Sequence, residues 1–326
     1  MSEFHVEVVR IGKVEKHPNA DSLSITQVHG GYPVILRTGQ FSEGDMATYV
    51  PIDALVPTDR EPFTFLRNGT RERERIKAKR LRGVFSMGLL VAAPDGAQEG
   101  DDVREALGVE KWEPAVEIVG TSALAESPPS GPQIPVYDLE GLRKFRWMLT
   151  PGEEVVVTEK IHGANARFFH DGERLWAGSR TQWKREDSDG LWWPVARSLE
   201  TALRAIGPNF VVFGEVYGQV QDLKYGVKEG ARFAAFDILN RITGTWLNWR
   251  AFRDACEVFG IPMVPVLYEG EWHDGIADMA EGPSTLAPHV REGIVVKPTI
   301  ERRDPRHGRV CLKLAGQGYL LRKEAA

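Results

Sequence analysis

Glu159-Lys160-Ile161-His162-Gly163-Ala164-Asn165 follows directly on the run Glu154-Val155-Val156-Val157-Thr158. The β-branched run reads as a strand, and Gly163 lets the backbone turn sharply after it. Lys160 is therefore expected at the rigid end of a strand. Most lysines so placed are solvated residues before a turn. An amine becomes a nucleophile at neutral pH only when burial or nearby positive charge lowers its pKa. The meaning of Lys160 thus depends on what the rest of the chain brings beside it.

Five stretches follow in order. Gly178-Ser179-Arg180-Thr181 offers a guanidinium suited to gripping a phosphate or carboxylate with two hydrogen bonds. The apolar run Phe210-Val211-Val212-Phe213-Gly214-Glu215-Val216-Tyr217-Gly218 delivers one carboxylate, Glu215: a solvated strand-end acid, or a ligand for a ribose hydroxyl or a metal. Arg232-Phe233-Ala234-Ala235-Phe236-Asp237-Ile238-Leu239 sets a ring beside an acid, so Phe236 either packs in the core or stacks on a base. Arg291-Glu292-Gly293-Ile294-Val295-Val296-Lys297-Pro298 has an acid at one end and a lysine at the other, and Val310-Cys311-Leu312-Lys313-Leu314 carries a further lysine.

The first hundred residues differ in character. Phe4 to Val9, Leu23 to Val28, Pro33 to Arg37, Ala47 to Pro51 and Val84 to Ala92 read as short strands separated by Gly, Pro, Asn and Asp, which predicts a small barrel or sandwich. Between Arg67 and Arg82, eight basic residues (Arg67, Arg71, Arg73, Arg75, Lys77, Lys79, Arg80, Arg82) face only Glu72 and Glu74. That run is a solvated loop or a phosphate-binding surface. Asp101 to Leu107 reads as a short helix, as does Asp138 to Leu149 with Asp138 at its start, ended by Thr150-Pro151-Gly152. Ser127-Pro128-Pro129-Ser130-Gly131-Pro132 has linker composition.

At 326 residues, 42% hydrophobic and 27% charged, the chain has room for two soluble domains. No apolar run approaches the ~20 residues that span a bilayer, so no membrane partner and a cytoplasmic location are expected. The two cysteines, Cys256 and Cys311, lie far apart and have no metal-ligand spacing, so free buried thiols are expected. A net charge of -5 excludes a general polycation, leaving local basic clusters as the route to nucleic acid.

Two resemblances follow from these residues. Val9-Arg10-Ile11-Gly12-Lys13-Val14-Glu15-Lys16-His17-Pro18-Asn19-Ala20-Asp21-Ser22-Leu23, with Leu81-Arg82-Gly83-Val84-Phe85-Ser86-Met87-Gly88-Leu89-Leu90, resembles the OB-fold tRNA-binding modules attached to some aminoacyl-tRNA synthetases. Such a barrel binds RNA through a basic groove, with Arg71, Arg73, Arg75, Lys77, Lys79 and Arg80 as candidates, or serves for packing or protein docking. The six ordered stretches from Lys160 to Lys313 are similar to the covalent nucleotidyltransferase superfamily, and most closely to RNA ligases of the RNA ligase 2 group. His162, where most DNA ligases and capping enzymes have aspartate, supports that choice. The expected class is α+β: a nucleotidyltransferase domain of antiparallel sheets with flanking helices over 133–326, a linker over 106–132, and a small all-β OB-like barrel over 1–105.

The second resemblance implies an ATP-dependent ligase, expected to be a monomer, that joins 3′-hydroxyl and 5′-phosphate ends of RNA. The substrate would be a nicked duplex with an RNA or DNA template. Lys160 would carry AMP, with Lys297 and Lys313 flanking the α-phosphate and, with Mg2+ or Mn2+, lowering the pKa of Lys160. Glu159 would read the adenine edge, with Ile161 also lining the nucleotide site. Phe236 would stack on the base, Arg180 and Glu215 would hold the ribose or adjoining phosphate, and Glu292, with Glu215, would hold the metal. His162, Asn165 and Asp237 would serve at the RNA end. Two departures stand out: Cys311 occupies the place of an expected second lysine, with Arg309 as a candidate substitute, and the OB-like module precedes the catalytic region. The rivals are a DNA ligase, a capping guanylyltransferase and a non-catalytic RNA-binding protein.

Overall fold

The computed structural model describes residues 4–112, 125–186 and 190–322. The chain divides into two compact units, Met1–Ala115 and Val116–Ala326. Residues 113–124 of the expected linker lie outside the described residues.

In the first unit Met46–Val50 is the middle strand of a three-stranded sheet, antiparallel to Glu7–Arg10 and to Leu89–Ala92. Leu23–Val28 and Tyr32–Arg37 pair through a tight turn, with Val28 opposite Tyr32. Alternate residues of these short strands point inward, as the period of two requires. Val8, Val50, Val56, Phe63 and Val91 meet in one core cluster; Val9, Val28, Val34 and Leu90 meet in another. Two expectations change. The single strand over Val84 to Ala92 is two, Val84–Ser86 and Leu89–Ala92. Gly88 breaks it at φ +84, where a Cβ would lie 2.6 Å from Val50 O. Asp101 to Leu107 forms turns rather than a helix, because the Asp102 carboxylate accepts from Val6 N at 3.1 Å and ties the segment to the sheet.

The second unit is built on two mostly antiparallel sheets. In the seven-stranded sheet the long central strands are Leu175–Ser179, Ala164–His170, Phe210–Gly218 and Ala231–Asn240. In the five-stranded sheet Glu154–Lys160 runs between Val266–Glu271 and Gly293–Pro298, which in turn pairs with Leu312–Ala315. Val156 of the second sheet packs with Phe168, Val212 and Phe233 of the first, joined by Trp193 and Leu203 from two short helices and by Phe252 from Trp249–Phe259. The opposite face of the five-stranded sheet buries Val155, Val157, Ile294 and Leu312 against Leu142, Met148 and Ile276. The helix expected over Asp138 to Leu149 shrinks to Leu142–Phe145 and a 3-10 turn at Arg146–Met148. Glu140–Gly141 instead joins the sheet beside Leu312 and Lys313, and Asp138 binds Arg180 rather than capping a helix.

Candidate active site and nucleic-acid interface

Lys160 ends a strand of one sheet, and Ala164 begins a strand of the other. The three-residue link is tight. A Cβ on Gly163 would stand 2.2 Å from Val216 O, so glycine is required here for close approach rather than for a left-handed turn. Register then sorts the side chains. Lys160 lies opposite Gly293, Val156 opposite Lys297, and Thr158 opposite Val295, which pairs with Lys313. Cross-strand partners share a face and residues two apart share it too, so Lys160, Lys297 and Lys313 all leave the same face. On the other sheet Asn165 pairs with Glu215.

Three carboxylates gather at this junction. Lys160 Nζ donates to Glu292 Oε1 at 2.6 Å. Burial pulls the Lys160 ammonium down, but Glu292 and Glu215 outweigh it and hold its pKa above the ordinary 10.5. Its two carboxylate neighbours, rather than Lys297 and Lys313, set the direction of this shift. Burial also pushes the Glu215 carboxyl up to about 8; Lys160 opposes and Glu292 adds to the rise. The Tyr225 phenol, raised first by burial, is raised further by the charges of Glu292, Glu159 and Glu215. All three acids are therefore its neighbours.

Several buried acceptors of these side chains have no hydrogen-bond partner. Glu159 Oε2 accepts from Thr285 N at 2.8 Å and Thr285 Oγ1 at 2.7 Å, while Glu159 Oε1 has none. Glu292 Oε2 and Asn165 Oδ1 are likewise unsatisfied. Buried acceptors are rarely left so, since each costs roughly 1–3 kcal/mol. A donor such as an adenine amino group, and a divalent cation held between Glu215 and Glu292, fit the set. Among the described residues no three His, Cys, Asp or Glu side chains are placed to hold one metal ion together, so phosphate or water oxygens would complete a cation's shell.

Phe236 is aimed by a bulge. Phe213 pairs with Asp237 and the next residue, Gly214, pairs with Ala235, so Phe236 is the extra residue of its strand. It is half-buried, with the Tyr137 ring 4.4 Å away. Ile161 is buried in the cluster with Tyr217 and Tyr225, and Arg180 is exposed and bound to Asp138.

Asp237, expected at the RNA end, has no exposed surface. It binds Lys297 Nζ, takes a hydrogen bond from Tyr137 OH at 2.5 Å, and faces Arg309 NH1 at 2.9 Å. Burial pushes its carboxyl up, but Arg309 and Lys297 outweigh that and keep it below the usual range. Arg309 also grips Glu301 through Nε at 2.8 Å. Lys297 further donates to Phe236 O at 3.2 Å. Arg309 thus does stand near the missing cation's place, but as a member of a buried ionic cluster. Cys311 lies against that cluster, its Sγ 3.7 Å from Tyr137 OH. Both cysteines are free and buried.

Sequence reasoning missed Tyr137, Tyr225, Thr285, Glu301, Asp222, Tyr319 and Arg322. None lies in a patterned strand next to a glycine-flanked charge, which was the signal that found the others.

The basic run of the first unit splits into two parts. Arg71 approaches Glu74 at 3.8 Å, Arg73 pairs with Glu110 at 2.9 Å, and Arg75 pairs with Asp53 at 2.7 Å with its guanidinium over the Trp112 ring. Arg73 and Arg75 are thus engaged within the barrel, while the Arg71 side chain is exposed. Lys79 and Arg80 stand exposed on the hairpin of Lys79–Leu81 with Val84–Ser86, and Lys77 is exposed just before it. His17 Nδ1 accepts from Asn19 N at 3.0 Å, so its Nε2 donates to Leu81 O at 3.1 Å, and Asn19 Nδ2 donates to Arg82 O at 2.9 Å. The His17 to Asp21 loop therefore clasps the hairpin.

A lysine held among carboxylates where two antiparallel sheets meet is an arrangement suited to nucleotidyl transfer. The RNA ligase family model matches residues 153–315, half the chain, and the protein belongs to the RNA ligase family. An OB-fold domain model matches residues 5–93. Among solved structures, Naegleria gruberi RNA ligase is similar over nearly the full chain. A lysine-to-alanine variant with ATP and Mn has 23% identity and a TM-score of 0.83, covering 97% of this chain and 98% of that one. The same ligase with PPi has 24% identity and a TM-score of 0.83, covering 98% of each chain. A glutamate-to-alanine variant with AMP and Mn gives the same values. At these identities the likeness is one of fold. Comparison with curated proteins finds no match. Among the described residues no helix is long and apolar enough to cross a membrane.

Proposed function

We propose that the protein is an ATP-dependent ligase that seals 3′-hydroxyl/5′-phosphate breaks in RNA, held as nicks in a duplex, through AMP carried on Lys160. The observation that carries this reading is Lys160 Nζ bound at 2.6 Å to Glu292, with Glu159 Oε1 and Glu292 Oε2 buried and unsatisfied. ATP, AMP and Mn in the similar Naegleria structures add support.

In the first step the neutral Lys160 amine attacks the α-phosphorus of ATP. A nitrogen–phosphorus bond forms, the bond to the bridging oxygen breaks, and pyrophosphate leaves. In the second step a 5′-phosphate oxygen of the RNA takes the AMP from Lys160. In the third a 3′-hydroxyl attacks that activated phosphate, and AMP departs as its proton is lost. All three are phosphoryl transfers, so alignment and charge neutralisation are the protein's main tasks. Glu159 Oε1 would accept from the adenine amino group, Phe236 would stack on the base, and Ile161 would line the pocket. Arg180, released from Asp138, would hold the ribose or a phosphate with Glu215. Lys313, and Lys297 if freed from Asp237, would face the phosphates. A Mg2+ or Mn2+ between Glu215 and Glu292 would neutralise phosphate charge. His162 and Asn165 would act at the RNA end, while Asp237 would act through Lys297.

Lys160→Ala should abolish the labelled adduct formed with α-labelled ATP; persistence of that adduct would sink the mechanism. Ligation of nicked duplexes that vary the sugar on each side of the break and in the template reads out the substrate. Equal sealing with a deoxyribose 3′-hydroxyl would favour a DNA ligase.

A further inference from the structure

Two residues beyond Lys160, the imidazole of His162 is held on both nitrogens. Nε2 lies 2.8 Å from Asp222 Oδ1, and Nδ1 lies 3.1 Å from Tyr319 OH. The backbone N–H of His162 donates to Tyr225 OH at 2.7 Å. Asp222 is fixed in turn by Arg322, whose Nε and NH2 each donate to it at 3.1 Å. The Arg322 guanidinium covers the Tyr319 ring at 3.6 Å. Tyr319 and Arg322 reach the loop because the turn Gln317–Leu320 is pinned by Glu281, which accepts from Gln317 N at 2.5 Å and Gly318 N at 3.1 Å. The segment bearing Tyr319 and Arg322 thus packs on the link that follows Lys160.

The Asp222 contact leaves one assignment for Nε2. Burial pushes the Asp222 carboxyl up, but Arg322 and His162 hold it below its usual range, so it can only accept and Nε2 carries the proton. The Tyr319 hydroxyl, 3.1 Å from Nδ1, completes the hold on the ring from its other nitrogen. Glu292 Oε2 is 3.7 Å from the same Nδ1, which puts the ring edge beside the carboxylate that binds Lys160.

We propose that Asp222, Tyr319 and Arg322 are positioning residues for the ligase reaction, which fix His162 in the Nε2–H tautomer and thereby set the loop between Lys160 and Asn165. The inference rests on the ligase reading and adds a device that family membership does not supply: His162 is useful only while the end of the chain holds it. Carboxylate and hydroxyl partners of a working histidine act in this way on its tautomer, orientation and basicity.

The test uses the full chain and two readouts. Imidazole nitrogen NMR of the uncomplexed protein, with His162→Asn assigning the signal, should show His162 protonated at Nε2. Tyr319→Phe and Asp222→Asn should convert it to a mixture of tautomers. Single-turnover rates of adduct formation from labelled ATP and of sealing a pre-adenylylated nick are then measured for each variant. Tyr319→Phe and Asp222→Asn should slow the step that His162→Asn slows, by about tenfold. Combined with His162→Asn they should slow it no further. A tautomer change without loss of rate, a loss of rate without tautomer change, or additive losses in the double variants would each overturn the proposal. A wild-type protein that forms no adduct and seals no nick would overturn the ligase reading instead. In that case the NMR signal alone decides whether the ring is held.

Discussion

Lys160 Nζ and Glu292 Oε1 stand 2.6 Å apart, an ion pair that keeps the proposed nucleophile protonated in the absence of ligands. Since Glu292 and Glu215 raise the Lys160 pKa above 10.5, the neutral amine is scarce near pH 7. Adduct formation at fixed low Mn should climb by at least roughly tenfold per pH unit from pH 6 to 8, because the Lys160 amine must lose its proton and Glu215 ionises in the same window. Glu292→Gln removes one negative charge, so its profile should lie at lower pH while its Mn requirement rises. A flat profile in the wild type would dissociate Lys160 from the rate.

Glu215 gives a stability signature of opposite sign to an ordinary carboxylate. Its folded pKa, about 8, lies above the 4.5 of the free side chain, so between those values the folded state binds the extra proton. Stability from this group is present below the unfolded pKa and is lost as pH rises to about 8. Glu215→Gln should therefore melt higher than wild type at pH 8, on the order of 5 °C, and about equally at pH 4.5. Saturating Mn should narrow the gap by stabilising the ionised carboxylate. Thermal scans across pH, with and without Mn, check both statements.

Asp237 is the shared anion for Lys297 and Arg309. Asp237→Ala strands Lys297 in the interior, leaves Arg309 with Glu301 alone, and should cost about 3–5 kcal/mol in denaturant unfolding. Lys297→Met with Asp237→Leu removes the pair together and should cost less than Asp237→Ala alone. If the single variant unfolds like wild type, the cluster is not structural.

RNA binding by the first unit should depend on the hairpin rather than on the whole basic run. Lys79→Glu with Arg80→Glu should weaken binding and reduce the slope of log affinity against log salt by about 2. Arg75→Ala should instead lower stability, since Arg75 is committed to Asp53 and Trp112, and leave the salt slope unchanged. Fluorescence titration over a salt series separates the two effects.

Much of this was legible in the linear chain. The β-branched run before Lys160, the apolar strand around Glu215 and the run ending at Lys297 each carry their own periodicity. They declare strands without help from distant residues. The glycines beside Glu215 and after Lys160 marked where backbones approach, and the order of the charged residues marked the family. Boundaries suffered where long-range pairing overrode local preference, as at Asp138 to Leu149, whose expected first turn is drawn into the sheet by Leu312 and Lys313.

What the chain by itself determined is therefore the strands that carry Lys160, Glu215, Asp237 and Lys297, its two-part organisation and the set of side chains available for phosphoryl transfer. Only the tertiary structure decided how those charges are shared. Lys160 and Glu292 are 132 positions apart, Lys297 and Asp237 are 60 apart, and Tyr319 reaches His162 across 157. A charge's pKa is set by burial and by what lies within a few ångströms, and neither is written in sequence spacing. That is why the hydrogen bond of Lys160 to Glu292, and the burial of Arg309 with Asp237 and Glu301, appear only in the folded chain.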